Sequence, residues 1–173
     1  PALRSGDYVY TSGQLPTVDG ELVEVGKVGT GADAPVSPEA AKVAARICVL
    51  NALAAVRGVI GELSNVVRVV KVVGYVASMP NFTGQSGVVN GASDLLAEVF
   101  GGGADGAGMH ARSSVGVARY TSAIVSLNCR RLPNPAANAM SVTGSSVAAS
   151  SERAVCARSR NPAAVWNNAH HTS

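Results

Sequence analysis

The sequence predicts a mixed chain of strands and helices around one buried core, on three observations. Seven of the eleven residues from Val66 to Val76 are valine, the densest β signal in the chain. Glu39 to Glu62 repeats apolar side chains (Val43, Ile47, Leu50, Ala54, Ile60) at helical spacing, with Lys42, Arg46 and Arg57 largely outside that stripe. The 173 residues are 47% hydrophobic and 14% charged, which fits a domain with a core and excludes a chain disordered throughout.

Taken in order, Asp7 to Leu15 (DYVYTSGQL) begins as a strand that bulges or ends at Gly13. Asp19-Gly20 marks a turn. Glu21 to Val28 alternates acidic with apolar residues, as a half-exposed strand and hairpin partner of the first would. Ser37-Pro38-Glu39 reads as a helix start, with Ser37 as cap. Asn51 sits beside the apolar stripe as a satisfied structural asparagine, and Cys48 as a small buried apolar residue.

In the valine strand, alternation puts Val67, Val69, Lys71, Val73 and Tyr75 on one face and Arg68, Val70, Val72 and Val76 on the other. A strand apolar on both faces needs a cover on both, so one cover is a helix and the other a second layer or another subunit. Asn90 to Phe100 (NGASDLLAEVF) reads as a second helix capped by Asn90 or Ser93. Gly101 to Gly108, with five glycines in eight residues, is a flexible loop or a nest of amides. It lacks the lysine ending of a phosphate-binding loop. Ser113 to Ala118 and Ser122 to Leu127 complete the strands.

Charge and cysteine content narrow the function. Residues 1–129 hold nine basic and ten acidic side chains, while residues 130–173 hold five arginines and one glutamate. The body is therefore near neutral, with no electrostatic reason to seek phosphate, and no specific nucleic-acid partner is expected. Aromatics at 4% argue against a base-stacking surface. No run of 18 uncharged apolar residues is present, so no membrane partner is expected. Three cysteines (Cys48, Cys129, Cys156) without a CxxC fit a reducing cytoplasm, and no metal site or cofactor is expected.

Four segments in register resemble one family. They are Thr11 to Pro16 (TSGQLP), Gly26 to Gly29 (GKVG), Asn90 to Phe100 and His110 to Gly116 (HARSSVG). The stretch from about Arg4 to Arg119 is similar to the Rid family of reactive-intermediate deaminases, also called YjgF or endoribonuclease L-PSP. The resemblance implies a chorismate-mutase-like α+β fold, a sheet with two helices on one face, closed with two further copies into a trimeric barrel with clefts between neighbours. It divides the chain into a domain over residues 1–128 and a low-complexity tail over 129–173, read as disordered, loosely attached or aberrant.

The resemblance further implies a deaminase that hydrolyses amino-acid-derived 2-imino acids, such as 2-aminoacrylate, to a 2-keto acid and ammonia. Arg112 matches the family's carboxylate-binding arginine, whose planar fork gives two parallel hydrogen bonds. Ser114, Ser12 and Gly13 match cleft residues, and Asn90 a supporting asparagine. His110 has no carboxylate or serine partner at a recognisable spacing and is assigned a structural or rim role.

Two departures bear on activity. The family's tyrosine upstream of the first strand falls before Pro1, and its glutamate on the last strand, fifteen residues after the arginine, is here Leu127. The loss of family pattern after Arg119, followed by Arg-, Ala-, Ser- and Pro-rich text, resembles out-of-frame translation of GC-rich DNA. A leucine cannot relay a proton, so the alternative is a non-catalytic sensor of 2-keto or amino acids that uses the same arginine. A ribonuclease is disfavoured by the neutral body, the scarce aromatics and the lack of a paired histidine constellation.

Overall fold

The computed structural model describes residues 1–118 and 123–132. From residue 133 onward, the expectations for the tail lie outside the described residues. Among the described residues, seven strands and two long helices form in the order β1 (Ala2–Ser5), β2 (Tyr8–Thr11), β3 (Thr17–Val18), β4 (Glu21–Leu22), α1 (Pro38–Ile60), β5 (Val66–Ala77), α2 (Gln85–Phe100), β6 (Ala111–Val117) and β7 (Ala123–Arg131). Five strands make one sheet in the order β1-β2-β7-β5-β6. Only β5 and β6 run parallel, joined by α2 as the crossover, and both helices pack on one face. This is the expected α+β architecture.

β5 runs over the valine segment, but its two faces differ from simple alternation. Register shifts between Val66 and Arg68 and between Val69 and Lys71 insert bulges. Val69 therefore joins Val72 and Val76, all fully buried under the helices, and Val70 moves to the other face. On that far face Leu3, Tyr8, Tyr10, Tyr75 and Val115 remain between 39% and 68% exposed. Two helices thus supply one of the two covers the valine strand needs.

α1 begins as its sequence predicts. Ser37 Oγ accepts from the Ala40 amide at 3.1 Å, and Pro38 occupies the first turn. Its buried face is not the expected stripe, however. Ala41, Ala44, Ala45, Cys48, Val49, Ala52, Leu53 and Val56 face inward, while Val43 and Leu50 are about half exposed. Close approach of α2 is the reason. A Cβ on Gly91 would lie 2.0 Å from the Lys42 carbonyl oxygen, so only small residues fit this seam. Lys42–Asp94 and Arg46–Glu98 pair across it in chain order, so the helices run side by side in the same direction. α1 is long and apolar enough to span a bilayer by composition, but here it is the core helix of the domain.

The first hairpin also differs from expectation. Asp19 and Gly20 form the turn, both at positive φ, but it joins the short β3 and β4 as a separate ribbon. β2 pairs instead with β1 and β7, because its inward Val9 must join the core shared with Cys129 and Leu127. Asn51 donates from Nδ2 to the carbonyls of Leu15 (2.9 Å) and Thr17 (3.0 Å), tying that ribbon to α1.

Candidate functional site

α2 starts at Gln85, a turn and a half before the predicted start, with no side-chain cap. Val88 and Val89 are buried against the sheet, which holds that extra turn in place despite its modest helix propensity. Asn90 and Ser93 are consequently interior helix residues three apart, sharing the face that overlooks β6.

Arg112 lies on β6, opposite Val72 of β5, with its side chain on the helix-covered side. Its Nη1 donates to Asn90 Oδ1 at 2.6 Å and to Ser93 Oγ at 3.2 Å. Neither partner carries charge, and among the described residues no carboxylate pairs with this guanidinium. Its other nitrogens make no hydrogen bond among these residues. Half-buried and held at one nitrogen by neutral partners, it suits a fork for a ligand carboxylate.

The same serine reaches a histidine. Ser93 Oγ lies 3.0 Å from His110 Nε2, and His110 Nδ1 lies 2.6 Å from the Gly108 carbonyl oxygen. A carbonyl accepts only, so Nδ1 carries the proton and Nε2 of the neutral ring accepts from the Ser93 hydroxyl. Burial pushes the imidazole below its ordinary value; the Gly108 carbonyl opposes this and the Arg112 charge reinforces it. His110 thus has the serine partner that sequence spacing did not reveal, because the two are seventeen residues apart on different elements.

The glycine loop builds this corner. Gly108 is buried, and a Cβ there would lie 2.2 Å from the Leu96 carbonyl oxygen. The Gly106 and Gly108 amides donate to Gly103 and Gly101 carbonyls, so they hold the loop's own shape rather than form an anion nest.

Ser114 stands two residues along β6 on the same side as Arg112, half-buried opposite Gly74. Ser12 and Gly13 are not brought to Arg112 within this chain. They follow β2, where a Cβ on Gly13 would meet Ile124 of β7 at 2.7 Å, and β7 and β5 both stand between them and β6. Leu127 is fully buried in the core, in the same cross-strand row as Val72 and Arg112, about 10 Å or two strand spacings away. Lys27 of the GKVG segment lines a separate cleft with Ser78, Phe82 and Gln85. Burial pushes the thiols of Cys48 and Cys129 up to about 12 and about 11, far from reactive.

Known proteins share this fold. Residues 1–132 match the family model described as "YjgF/chorismate mutase-like, putative endoribonuclease". The Trypanosoma cruzi protein TCP17 is 40% identical over 115 residues, spanning 66% of this chain and 68% of its own. The crystal structure of Atu1372 from Agrobacterium tumefaciens is 38% identical with a TM-score of 0.70, over 76% of this chain and 82% of that one. A "putative endoribonuclease" of Shewanella oneidensis is 29% identical with a TM-score of 0.67, over 75% and 83% of the two chains. With two helices on one face of a mixed sheet, the motif segments in order and a family match across every described strand and helix, this chain belongs to the YjgF/chorismate mutase-like family.

Proposed function

We propose that the chain hydrolyses small imines or enamines derived from amino acids, with Arg112 gripping the substrate carboxylate. The observation that carries this reading is a half-buried guanidinium held at one nitrogen by the neutral Asn90 and Ser93 and unpaired with any carboxylate among the described residues. Neutral partners orient the fork without neutralising it, so its charge is left for a small acid anion. Ser114, next on the same side of β6, stands where it can line the cleft beyond that anion.

The reading includes assembly into a trimer. The exposed apolar sheet face with Leu3, Tyr10, Tyr75 and Val115 is the surface that such closure would cover. Ser12 and Gly13 lie across the sheet from Arg112, which suits a cleft completed by a neighbouring copy. Ribonuclease activity fits less well, since residues 1–129 are near neutral and no phosphate-facing cluster of cations surrounds Arg112 among the described residues.

One observation favours a second reading, a sensor that binds 2-keto or amino acids without turning them over. Leu127 puts a core side chain where the family's glutamate would stand. The two readings separate in one assay, release of ammonia and pyruvate from 2-aminoacrylate generated in situ, compared with 2-ketobutyrate binding. Turnover above the uncatalysed rate that Arg112→Ala abolishes supports the hydrolase. Binding without turnover, lost in Arg112→Ala, supports the sensor. Equal behaviour of the two proteins removes Arg112 as the anchor and refutes both.

A further inference from the structure

Imine hydrolysis needs more than an anchor. A water must lose a proton as its oxygen bonds to the imine carbon, and the departing nitrogen must gain one. Leu127 cannot do this, and no carboxylate pairs with Arg112 among the described residues. The Arg112 guanidinium is instead connected, through one hydroxyl, to an imidazole: Arg112 Nη1 to Ser93 Oγ at 3.2 Å, and Ser93 Oγ to His110 Nε2 at 3.0 Å. The Gly108 carbonyl at Nδ1 fixes the ring and leaves Nε2 as the acceptor.

From this chain of contacts we infer that Ser93 and His110 form the proton-transfer arm of the site, with His110 acting through the Ser93 hydroxyl. The inference rests on the reading of Arg112 as the carboxylate anchor. With the substrate nitrogen protonated as an iminium, water attacks its carbon, the water proton passes to Ser93 Oγ and the Ser93 proton moves to His110 Nε2. A neutral carbinolamine and an imidazolium result. The imidazolium then returns its proton through Ser93 to the amino nitrogen; the C–N bond breaks as the carbonyl forms, and the hydroxyl proton leaves with the ammonia as ammonium. One water is consumed, and the enzyme ends as it began.

The geometry fits the task in two further respects. The hydroxyl–base–orienter order of an activated hydroxyl is reproduced, here with the hydroxyl as relay and a backbone carbonyl as the third group. The imidazole is also kept neutral, and so able to accept, by its burial and by Arg112. Other charges near it are spent or turned away. Asp94, beside Ser93 on α2, pairs with Lys42 at 2.8 Å. Asp105 of the glycine loop is exposed, and Lys71 on β5 points to the far face of the sheet.

The test compares wild type with His110→Gln, Ser93→Ala, Ser93→Thr and Arg112→Ala, each checked for an unchanged melting temperature. Two readouts are used: kcat on 2-aminoacrylate and the Kd for 2-ketobutyrate. We expect His110→Gln and Ser93→Ala each to lower kcat about 100-fold while Kd changes less than about threefold. The double variant is expected to be no worse than either alone, since the two act as a unit. Ser93→Thr, which keeps the hydroxyl, recovers most of the rate. The acid-side fall in kcat/KM of the wild type is absent from His110→Gln.

Wild-type turnover by His110→Gln overturns the arm while leaving the anchor intact, provided Arg112→Ala has lost binding. Binding by the wild type without turnover also overturns it, in favour of the sensor. Undiminished binding by Arg112→Ala overturns the anchor and, with it, the arm.

Discussion

Asn90 Oδ1 accepts from Arg112 Nη1 at 2.6 Å, the shorter of the two contacts that hold this guanidinium to α2. A neutral amide on a rigid helix sets the direction of a charge on an edge strand. Asn90→Ala frees that end of the fork and should weaken 2-ketobutyrate binding about tenfold, the equivalent of about 1.4 kcal/mol. Asn90→Asp should be worse than alanine, because the new carboxylate occupies the charge the ligand needs. Calorimetric titration of both variants checks the order. Aspartate binding as tightly as asparagine would exclude a carboxylate fork.

The seam between the helices depends on one missing methyl group. Gly91→Ala places a Cβ 2.0 Å from the Lys42 backbone oxygen, so α1 and α2 must separate. The expected loss is at least about 2 kcal/mol in chemical denaturation. At Gly87, on the same helix, an added methyl would meet nothing within 4 Å, and Gly87→Ala should stabilise by about 0.5–1 kcal/mol through helix propensity. Opposite signs from the same substitution in one helix isolate packing from propensity.

Stability should respond to His110 in a defined direction. Its folded pKa lies below the ordinary 6.5, so the unfolded chain takes up this proton first as pH falls. Stability tied to the neutral ring is complete above about 6.5. It declines as pH drops from there toward the folded value and is fully lost below that value. The melting temperature of wild type should therefore fall more than that of His110→Gln between about pH 7.5 and about pH 5. Parallel curves would show that burial does not hold the ring neutral.

Replacing Leu127 by glutamate tests what that position does in this chain. The side chain is fully buried in the core, so Leu127→Glu must either bury a carboxylate or expose the strand. A loss of about 3 kcal/mol or more is expected, without gain in imine hydrolysis. A stable variant with faster turnover would show instead that the strand can present this position to the cleft.

Particular residues show where sequence reading succeeds and where it stops. Ser37 as cap, the valine strand and the Asp19-Gly20 turn follow from local chemistry, and each is legible because its cause lies within a few residues. The faces of β5 are not, since two bulges rephase the alternation only once β7 is alongside. The inward face of α1 escapes sequence reading for a similar reason. Val43 and Leu50 are more hydrophobic than Ala41 and Ala44, but the close approach of α2 rewards small size over hydrophobicity.

The site divides in the same way. Arg112 and Asn90 are readable from motif segments, whereas local pattern makes Ser93 a cap and His110 a rim residue. Starting α2 at Gln85 would place Asn90 and Ser93 on one face, but nothing in the sequence pairs Ser93 with a histidine seventeen positions later.

By itself, then, the sequence determined the long helix, the valine strand and the family, because periodicity, capping and motif spacing are properties of neighbouring residues. Only the tertiary structure decided which side chains meet Arg112, that Leu127 belongs to the core, and that Ser12 and Gly13 stand apart from Arg112 within the chain. Those outcomes depend on strand order and on how closely α2 lies against β6 and α1, and both are set by packing between segments far apart in the chain.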